Sequence, residues 1–527
     1  MSKLFQLLIA GALLAPVLII LSYLFGDTAG VWEHLAQYRL QEYVQNSLWI
    51  MVGVGGLCLF WGTMTAWLTT RYGFPLSRFL EWALVLPLAY PAYITAYMYG
   101  GILGLEGRVT QWLMRTYSLG YDDLWFLEIM SLPGAIFVMS LVLYPYVYLS
   151  AKASLKHQSE SIFEVARVSG YGTFSFFFKV LIPSLRPALA VGVTLAVMEA
   201  VSDYGVVAYY GVDTFVTGIF RTWFGMGDLE AAAKLAALLM GFVLILVSLE
   251  KWQRHKVQFA SSSKGFRPMC RQQLHGMKAL AATCLCALPF LLGFLIPSLQ
   301  LFEWFWMSYD EMIDKTYWKL VTNTFYLAFS AALVTTILGF IMVYLGHLLP
   351  GKFSNIALQG AKLGYAVPGA VVAIGILITL GHVDGFFAQW TSSLVFGGSA
   401  AALIYGYSVR FLAVSSGQLE SGLGKISTSY SDVAKTMGYG SWDILKKIDL
   451  PLLKGAMGTS IIIVFVEVLK ELPLTLILRP FNFETLSAYT LELTNQEMLV
   501  ESSVPALSIV ALGIVPVMIL IFTTLRR

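Results

Sequence analysis

The sequence has little charge for its length. Of 527 residues, 12% are charged, 57% are hydrophobic and 14% are aromatic. Soluble domains carry about 25% charged and about 45–50% apolar residues. The 34 basic and 31 acidic side chains are too few to cover a soluble protein of this size, and the aromatic content excludes a disordered chain. The remaining class is a membrane protein with several spans.

Cysteine is also scarce, and one nucleotide-binding motif is missing. The four cysteines (Cys58, Cys270, Cys284 and Cys286) have no zinc-like spacing and no evident disulfide partner. The sequence has no Gly-x-x-x-x-Gly-Lys-Ser/Thr loop, and its nearest approach has Leu419 in place of the first glycine. We therefore expect that this chain is not an enzyme, does not hydrolyse ATP and binds no cofactor of its own.

Long apolar runs predict an all-α fold with about twelve transmembrane helices. Each run has the roughly 20 apolar residues that a helix needs to cross a bilayer, and the runs are too continuous for barrel strands. The first run is longer than the core of a signal peptide, so we interpret it as a span. The predicted spans are 4–25, 47–69, 80–104, 131–151, 188–210, 231–250, 279–301, 322–347, 356–381, 394–416, 456–478 and 503–524.

The distribution of basic residues predicts the orientation. With the N-terminus in the cytoplasm, the inner segments hold 23 Lys and Arg residues and the outer loops hold seven. This asymmetry places both termini in the cytoplasm. The outer loops hold 19 acidic residues, which would suit a docking protein but is also what the asymmetry alone would produce. Residues 251–278, with seven basic residues and no acid, form a predicted cytoplasmic linker.

The sequence contains an internal repeat. Segment 161–183 aligns without a gap on segment 429–451, an offset of 268, and eight of 23 positions are identical. A weaker match upstream, at an offset of 277, pairs Pro91 with Pro368. The repeat predicts two tandem six-helix halves, 1–250 and 279–527, joined by the linker and parallel to each other.

The repeated segment encodes a short helix. Ser161 with Glu164, and Ser429 with Asp432, have the spacing of a capping box at a helix start. A glycine follows in each copy, at 170 and at 438, where a left-handed residue would end the helix. A helix of about eight residues is not stable alone, so we expect it to dock on another surface.

These residues resemble a known family signature. An acid, an alanine two residues later, a glycine four residues further and an Ile-x-Leu-Pro ending mark the permease subunits of bacterial ABC importers. The second copy has this pattern from Asp432 to Pro451, and the first has a close variant from Glu164 to Pro183. The resemblance implies a type I importer fold whose coupling helices fit two copies of a cytoplasmic ATPase subunit, which binds the ATP. The implied coupling residues are Glu164, Ala166, Gly170, Asp432, Ala434 and Gly438.

Further stretches resemble the ferric-iron permeases of that family. They are Met198–Gly205, Gly218–Trp223, Lys470–Thr475 and Leu478–Leu486. This resemblance implies Fe(III) as the transported substrate, a periplasmic ferric-iron-binding protein as a partner, and a multi-pass location in the bacterial inner membrane. No nucleic acid partner is expected. A permease for thiamine or another small solute, an ion-driven secondary transporter and a non-transporting scaffold are the alternatives.

Four acidic residues fall well inside two of the predicted spans, away from their ends. Glu199 and Asp203 align with Glu467 and Glu471 at the offset of 268, and their spacing predicts one helix face in each half. An ionised side chain at mid-membrane costs about 2.5–3.5 kcal/mol, so such residues normally face a bundle interior or a water-filled path. They either line a translocation path, with Glu199 and Glu467 as transient iron ligands, or hold the halves together as protonated or paired groups.

Tyrosines are the other candidate oxygen ligands inside the membrane. They occur at 90, 93, 97 and 99, and again at 144, 146 and 148. Both groups are more simply interpreted as aromatic side chains that pack between helices or lie at the membrane interface.

Overall fold

The computed structural model describes the chain except residues 1, 26–29, 121–122, 125–127, 157, 159, 161–167, 256–270, 350, 388–396 and 525–527. The described residues are almost entirely helical, as the sequence predicts. The α-helices are α1 (Ser2–Ser22), α2 (Val31–Tyr38), α3 (Leu40–Arg71), α4 (Ser77–Ala83), α5 (Ala92–Leu103), α6 (Arg108–Tyr117), α7 (Leu132–Lys156), α8 (Thr173–Phe176), α9 (Ile182–Ser202), α10 (Gly205–Tyr209), α11 (Phe215–Phe220), α12 (Leu229–His255), α13 (Gly276–Phe290), α14 (Ile296–Met312), α15 (Lys315–Leu348), α16 (Lys352–Ala361), α17 (Gly369–Phe387), α18 (Ala400–Leu423), α19 (Thr428–Thr436), α20 (Ser441–Ile444), α21 (Leu450–Lys470), α22 (Pro473–Leu478), α23 (Leu486–Asn495) and α24 (Leu499–Thr524).

Shorter elements connect these helices. Among the described residues, 3₁₀ turns cover Tyr23–Phe25, Leu86–Ala89 and Lys362–Ala366. Four π-helical turns cover Phe177–Leu181, Arg221–Gly225, Leu291–Leu295 and Leu445–Asp449. Two strands, β1 (Tyr72–Gly73) and β2 (Gln272–Gln273), pair in parallel.

Ten described helical segments are long and apolar enough to cross a membrane, and a broken pair makes eleven. The broken pair bends by 94° between Ser77–Ala89 and Ala92–Tyr117, where a single span over 80–104 was predicted. Pro91 lies at this bend, and a proline cannot donate the backbone hydrogen bond that would continue a helix. The predicted span 394–416 corresponds to α18, whose Arg410 and other polar residues leave it less apolar than the ten.

The internal repeat is visible in the helix boundaries. The series α8, π turn and α9 occupies 173–202, and its counterpart occupies 441–470 with each boundary displaced by 268. Upstream, the ends of α3 and α15 and the starts of α5 and α17 both differ by 277, which is the offset of the weaker sequence match. A tandem duplication therefore accounts for the arrangement of secondary structure as well as for the sequence match.

The chain divides into two compact units. Unit 1 contains Met1–Trp32, Ile219–Met240 and Ile313–Tyr489, and unit 2 contains Glu33–Gly218, Gly241–Met312 and Thr490–Arg527. Within unit 1, α1 packs on α16 and α17; within unit 2, α14 packs on α24. Helix α1, at the start of the first half, thus belongs to the unit that contains most of the second half. Helix α14, near the start of the second half, belongs to the unit that contains most of the first half.

Small residues allow the helices of unit 2 to approach closely. A Cβ atom added to Gly62 of α3 would lie 2.5 Å from the Cβ of Val147 in α7. A Cβ atom on Gly192 of α9 would lie 2.7 Å from the Cα of the same valine. Three spans therefore meet at Val147, in the manner of small-residue contacts between transmembrane helices.

The equivalent crossing in unit 1 uses hydrogen bonds. Gly339, Ser415 and Ser460 occupy the positions related to Gly62, Val147 and Gly192 by the two sequence offsets. The hydroxyl of Ser460 donates to that of Ser415 at 2.8 Å and lies 3.0 Å from the hydroxyl of Thr336. The same helix crossing is thus apolar in one unit and polar in the other.

The end of the predicted linker is fixed to unit 2. Strand β2 pairs with β1, and Arg271 donates to Glu81 at 2.6 Å. The carboxylate of Glu81 also lies 3.0 Å from the ammonium group of the buried Lys152. Most of the linker, residues 256–270, lies outside the described residues.

Candidate functional site

The repeated segment of the second half folds as α19. Its N-cap is Ser427, whose side chain accepts a hydrogen bond from the backbone N–H of Ser429. The predicted capping box of Ser429 with Asp432 is therefore wrong, because the helix begins before Ser429 and places Asp432 inside it. Asp432 is exposed and lies 3.8 Å from Lys435.

Helix α19 exposes an apolar surface. Ala434 is buried, whereas Tyr430, Val433 and Met437 have more than half of their surface exposed. Residues three and four apart share a helix face, so these three side chains form one patch. We call Tyr430, Val433 and Met437 the apolar patch. Gly438 follows with φ +85°, which confirms the predicted left-handed helix end.

The first copy of the segment is only partly described. Glu164 and Ala166 lie outside the described residues. Gly170 has φ +75°, the same left-handed conformation as its counterpart Gly438. Val168 is 90% exposed and Tyr171 is also exposed, so this copy, too, presents apolar side chains to its surroundings.

The acidic residues of the first half lie around a helix break. Glu199 is in the last turn of α9 and is partly exposed. Asp203 follows the end of α9, and its carboxylate accepts a hydrogen bond from the backbone N–H of Val206 at 2.7 Å. Asp203 thus lies at the junction between α9 and α10 and stabilises the first turn of α10.

The second half repeats this junction with a different partner. Glu467 is in the last turn of α21, and Glu471 accepts from the backbone N–H of Leu474 at 3.3 Å. The carboxylate of Glu471 also lies 3.3 Å from Nε of Arg410 in α18. The side chains of this ion pair are both buried, with exposed fractions of 7% for the arginine and 6% for the glutamate.

Each acidic pair lies across the end of a helix. In both halves the helix ends between the two acids, after Ser202 and after Lys470. Pro473 explains the second break, because it has no N–H to continue the helical hydrogen bonds of α21 and is suited to the first position of α22. The first half has Gly205 at the equivalent position, and glycine also weakens a helix.

The role of the acids as path or metal ligands stays a prediction. Glu199 belongs to unit 2 and Glu467 to unit 1. In the part of the chain that the structure describes, no three His, Cys, Asp or Glu side chains are grouped as a metal site. Glu471 is within electrostatic range of Glu467, and its own carboxylate is engaged by Arg410.

Sequence reasoning missed Arg410. This arginine falls in the middle of the predicted span 394–416, where a charged side chain needs a partner. Its place inside an apolar span was the sign, available from the sequence, that Arg410 has an acidic partner. The partner could not be identified from sequence, because Arg410 and Glu471 are far apart in the chain and on different helices.

A duplicated helical fold with ten or more candidate spans and a helix break in each half is the architecture expected of a membrane permease. Residues 59–256 and 335–527 both match the family described as binding-protein-dependent transport system inner membrane component, and the chain belongs to this family. The chain is therefore a multi-pass membrane component of a transport system.

Individual relatives cover most of the chain. It is 25% identical over 492 residues to the Fe(3+)-transport system permease protein FbpB 2 of Haemophilus influenzae, covering 93% of this chain and 91% of the relative. It is 22% identical to the ferric transport system permease protein FbpB of Actinobacillus pleuropneumoniae, covering 92% and 73%. The sulfate transport system permease protein CysT of Escherichia coli is 26% identical over only 28% of this chain and 50% of its own length.

Proposed function

We propose that this chain forms the transmembrane permease of an ATP-driven importer for ferric iron. The similarity to ferric permeases over more than nine-tenths of the chain supports the substrate most strongly. The similarity to a sulfate permease covers about a quarter of the chain, which fits shared permease architecture rather than a shared substrate. Iron would be delivered by a periplasmic binding protein.

The docking partner of α19 is proposed from its surface chemistry. An apolar patch of Tyr430, Val433 and Met437 on a nine-residue helix suits a hydrophobic groove on another protein. A cytoplasmic ATPase subunit is the partner that this family of transport systems would require. With one docking segment in each half, we infer two ATPase subunits per permease, with both termini of the chain on their side of the membrane.

The transport cycle follows from this arrangement. Closure of the two ATPase subunits would move the docking segments, and each segment continues through a π turn into α9 or α21. These helices have 21 residues and are about 30 Å long, so a displacement at one end reaches the acids at the other. Glu199 and Glu467 are our candidates for a weak, transient iron contact along the path.

Uptake by a reconstituted system tests the proposal. Proteoliposomes would contain the chain with its ATPase subunit and its iron-binding protein, and ATP-dependent uptake of radiolabelled ferric iron would be measured beside labelled sulfate. We expect iron uptake that requires ATP. ATP hydrolysis without iron uptake, together with sulfate uptake, would overturn the proposed substrate. Iron uptake without the ATPase subunit would overturn the proposed class.

The path residues need a separate variant. Glu199→Gln/Glu467→Gln removes both charges while it keeps the size of the side chains. We expect slower iron uptake at unchanged ATPase binding. Unchanged uptake would leave the importer in place and exclude these two carboxylates as iron contacts.

A further inference from the structure

Phenol side chains are concentrated at the helix break of the first half. The ring of Tyr97 lies with its centroid 4.8 Å from that of Tyr209 and 5.6 Å from that of Tyr93. Tyr204 and Asp203 are both within electrostatic range of Tyr97. We call these five residues the phenol cluster. All belong to unit 2.

The cluster extends from the surface to the interior of unit 2. Asp203, Tyr204 and Tyr209 are partly exposed, whereas Tyr93 and Tyr97 are buried. A glycine at position 100 makes the approach possible, because an added Cβ atom there would lie 2.5 Å from the hydroxyl of Tyr209. The cluster thus has a carboxylate and two phenols at partly exposed positions and two phenols at buried positions.

The hydroxyl of Tyr97 is fully buried and makes no hydrogen bond to any described residue. Burying an unsatisfied hydroxyl costs about 1–3 kcal/mol, and phenylalanine would fill the same space without that cost. Packing alone therefore does not explain why this position carries a phenol.

The duplication provides an internal comparison. The residues of the second half that correspond to the four tyrosines, by the offsets of 277 and 268, are all aliphatic and all buried: Ala370, Ile374, Leu472 and Ile477. At these four positions, the same junction of helices thus folds with aliphatic side chains. The hydroxyl groups of the first half are an addition that the fold does not require.

The two halves also differ in the environment of the acid that follows the helix end. Glu471 is neutralised by Arg410, whereas the residue equivalent to Arg410 at the offset of 268 is Val142. The first half therefore combines an acid with phenol oxygens and has no arginine at that position. A cation is favoured in such surroundings, because carboxylate and phenol oxygens are hard ligands.

We propose that the phenol cluster is a transient binding site for a hard trivalent cation, which is ferric iron if the proposed function holds. Asp203 supplies a carboxylate oxygen, and Tyr97 and Tyr209 supply phenol oxygens. Each phenol that binds the ion releases its proton to water, so the oxygen binds as a phenolate. The site is one-sided, since the second half lacks these oxygens, and a one-sided site can release the ion for onward movement.

Glu497 extends the site toward solvent. This exposed residue is within electrostatic range of Tyr209 and adopts a left-handed conformation, φ +64°, between α23 and α24. A carboxylate at the entrance raises the local concentration of a cation. We therefore expect Glu497 to affect the rate of iron capture more than the strength of binding.

Spectroscopy tests the site directly. The full-length permease in detergent would be titrated with ferric nitrilotriacetate, and the visible charge-transfer absorption of an iron–phenolate bond would be recorded. We expect this absorption in the wild type and a loss of affinity of about tenfold or more in Tyr97→Phe and in Asp203→Asn. Tyr144→Phe is the matched control, because Tyr144 is equally buried but donates its hydroxyl to the carbonyl of Leu84 at 2.9 Å.

Uptake measurements separate this proposal from the proposed function. If the wild type and Tyr97→Phe transport iron equally and give equal absorption, the phenol cluster is not a site, although the importer stands. If the wild type transports no iron but the absorption appears and depends on Tyr97, the site stands and the proposed substrate pathway is wrong. Asp203→Asn keeps an oxygen that can accept from Val206, so loss of binding in this variant cannot be assigned to loss of the helix cap.

Discussion

The guanidinium group of Arg410 and the carboxylate of Glu471 form an ion pair inside unit 1, with 3.3 Å between Nε and Oε2. Gly369, at the start of α17, lies directly beside both groups, since a Cβ atom there would overlap Nη1 of the arginine and Oε1 of the glutamate. The backbone carbonyl of Glu471 also accepts from the hydroxyl of Thr475 at 2.6 Å. The pair therefore joins three helices at the break that follows α21.

Neutralising one member of this pair is expected to destabilise the protein strongly. Glu471→Gln would leave the charge of Arg410 buried without its carboxylate, which typically costs about 3–5 kcal/mol. We expect a clear fall in the thermal unfolding temperature of the purified permease in detergent. Asp432→Asn is the control, because its pair with Lys435 is exposed and such pairs contribute about 0–1 kcal/mol. Equal stability of both variants would contradict a structural role for the buried pair.

The glycine beside the pair gives a second, independent prediction. Gly369→Ala introduces a methyl group where the two charged side chains meet, and overpacking of this kind typically costs about 1–3 kcal/mol. Gly417→Ala in α18 is the matched control, since nothing lies within 4 Å of its added Cβ atom. There the alanine should be neutral or slightly stabilising, because alanine favours a helix by roughly 0.8–1.0 kcal/mol over glycine. Thermal unfolding of the two single variants provides the comparison.

Much of this architecture follows from the sequence, since apolar run length and the internal repeat depend on local pattern. The repeat predicted equivalent segments, and the boundaries of α9 and α21 agree with its offset. The left-handed glycines were also predictable, because only glycine adopts that conformation readily. Two features depend on tertiary contacts between distant segments, which one sequence does not specify. They are the packing of α1 and α14 with the other half of the sequence, and the pairing of Arg410 with Glu471.

The helix breaks show what residue spacing alone does not predict. A spacing of four residues suggested a continuous helix through Glu467 and Glu471, and Pro473 was present in the sequence as evidence that the helix ends before it. The capping box failed for a similar reason, since two serines, Ser427 and Ser429, compete to begin α19. In both cases the residue type was informative, but the boundary of the helix decided its role.

The ion network of unit 2 predicts a strong effect of a single neutral substitution. Glu81→Gln removes the carboxylate that lies 3.0 Å from Lys152 and 2.6 Å from Arg271. Lys152 is almost fully buried, so we expect a loss of stability of about 3–5 kcal/mol. Arg271→Gln should cost much less, because Lys152 retains its partner and Arg271 is partly exposed. Thermal unfolding of both variants would contradict this assignment if Arg271→Gln proved the more destabilised.

The apolar patch on α19 predicts how the permease holds its ATPase subunit. Val433→Asp places a charge in the middle of the patch, at a side chain that is 58% exposed, so folding should be unaffected while binding to an apolar groove is lost.

Lys435→Asp is the control, because two residues along a helix turn the side chain by about 200° and place the new acid on the far side. Copurification of the ATPase subunit with each variant is the measurement, with thermal unfolding as the check on folding. Because the docking segment of the first half is unchanged, we expect Val433→Asp to lose one of the two proposed ATPase subunits and Lys435→Asp to lose little. Equal copurification with both variants would show that the patch is not the docking surface, and the first copy around Val168 and Tyr171 would then carry the interaction alone.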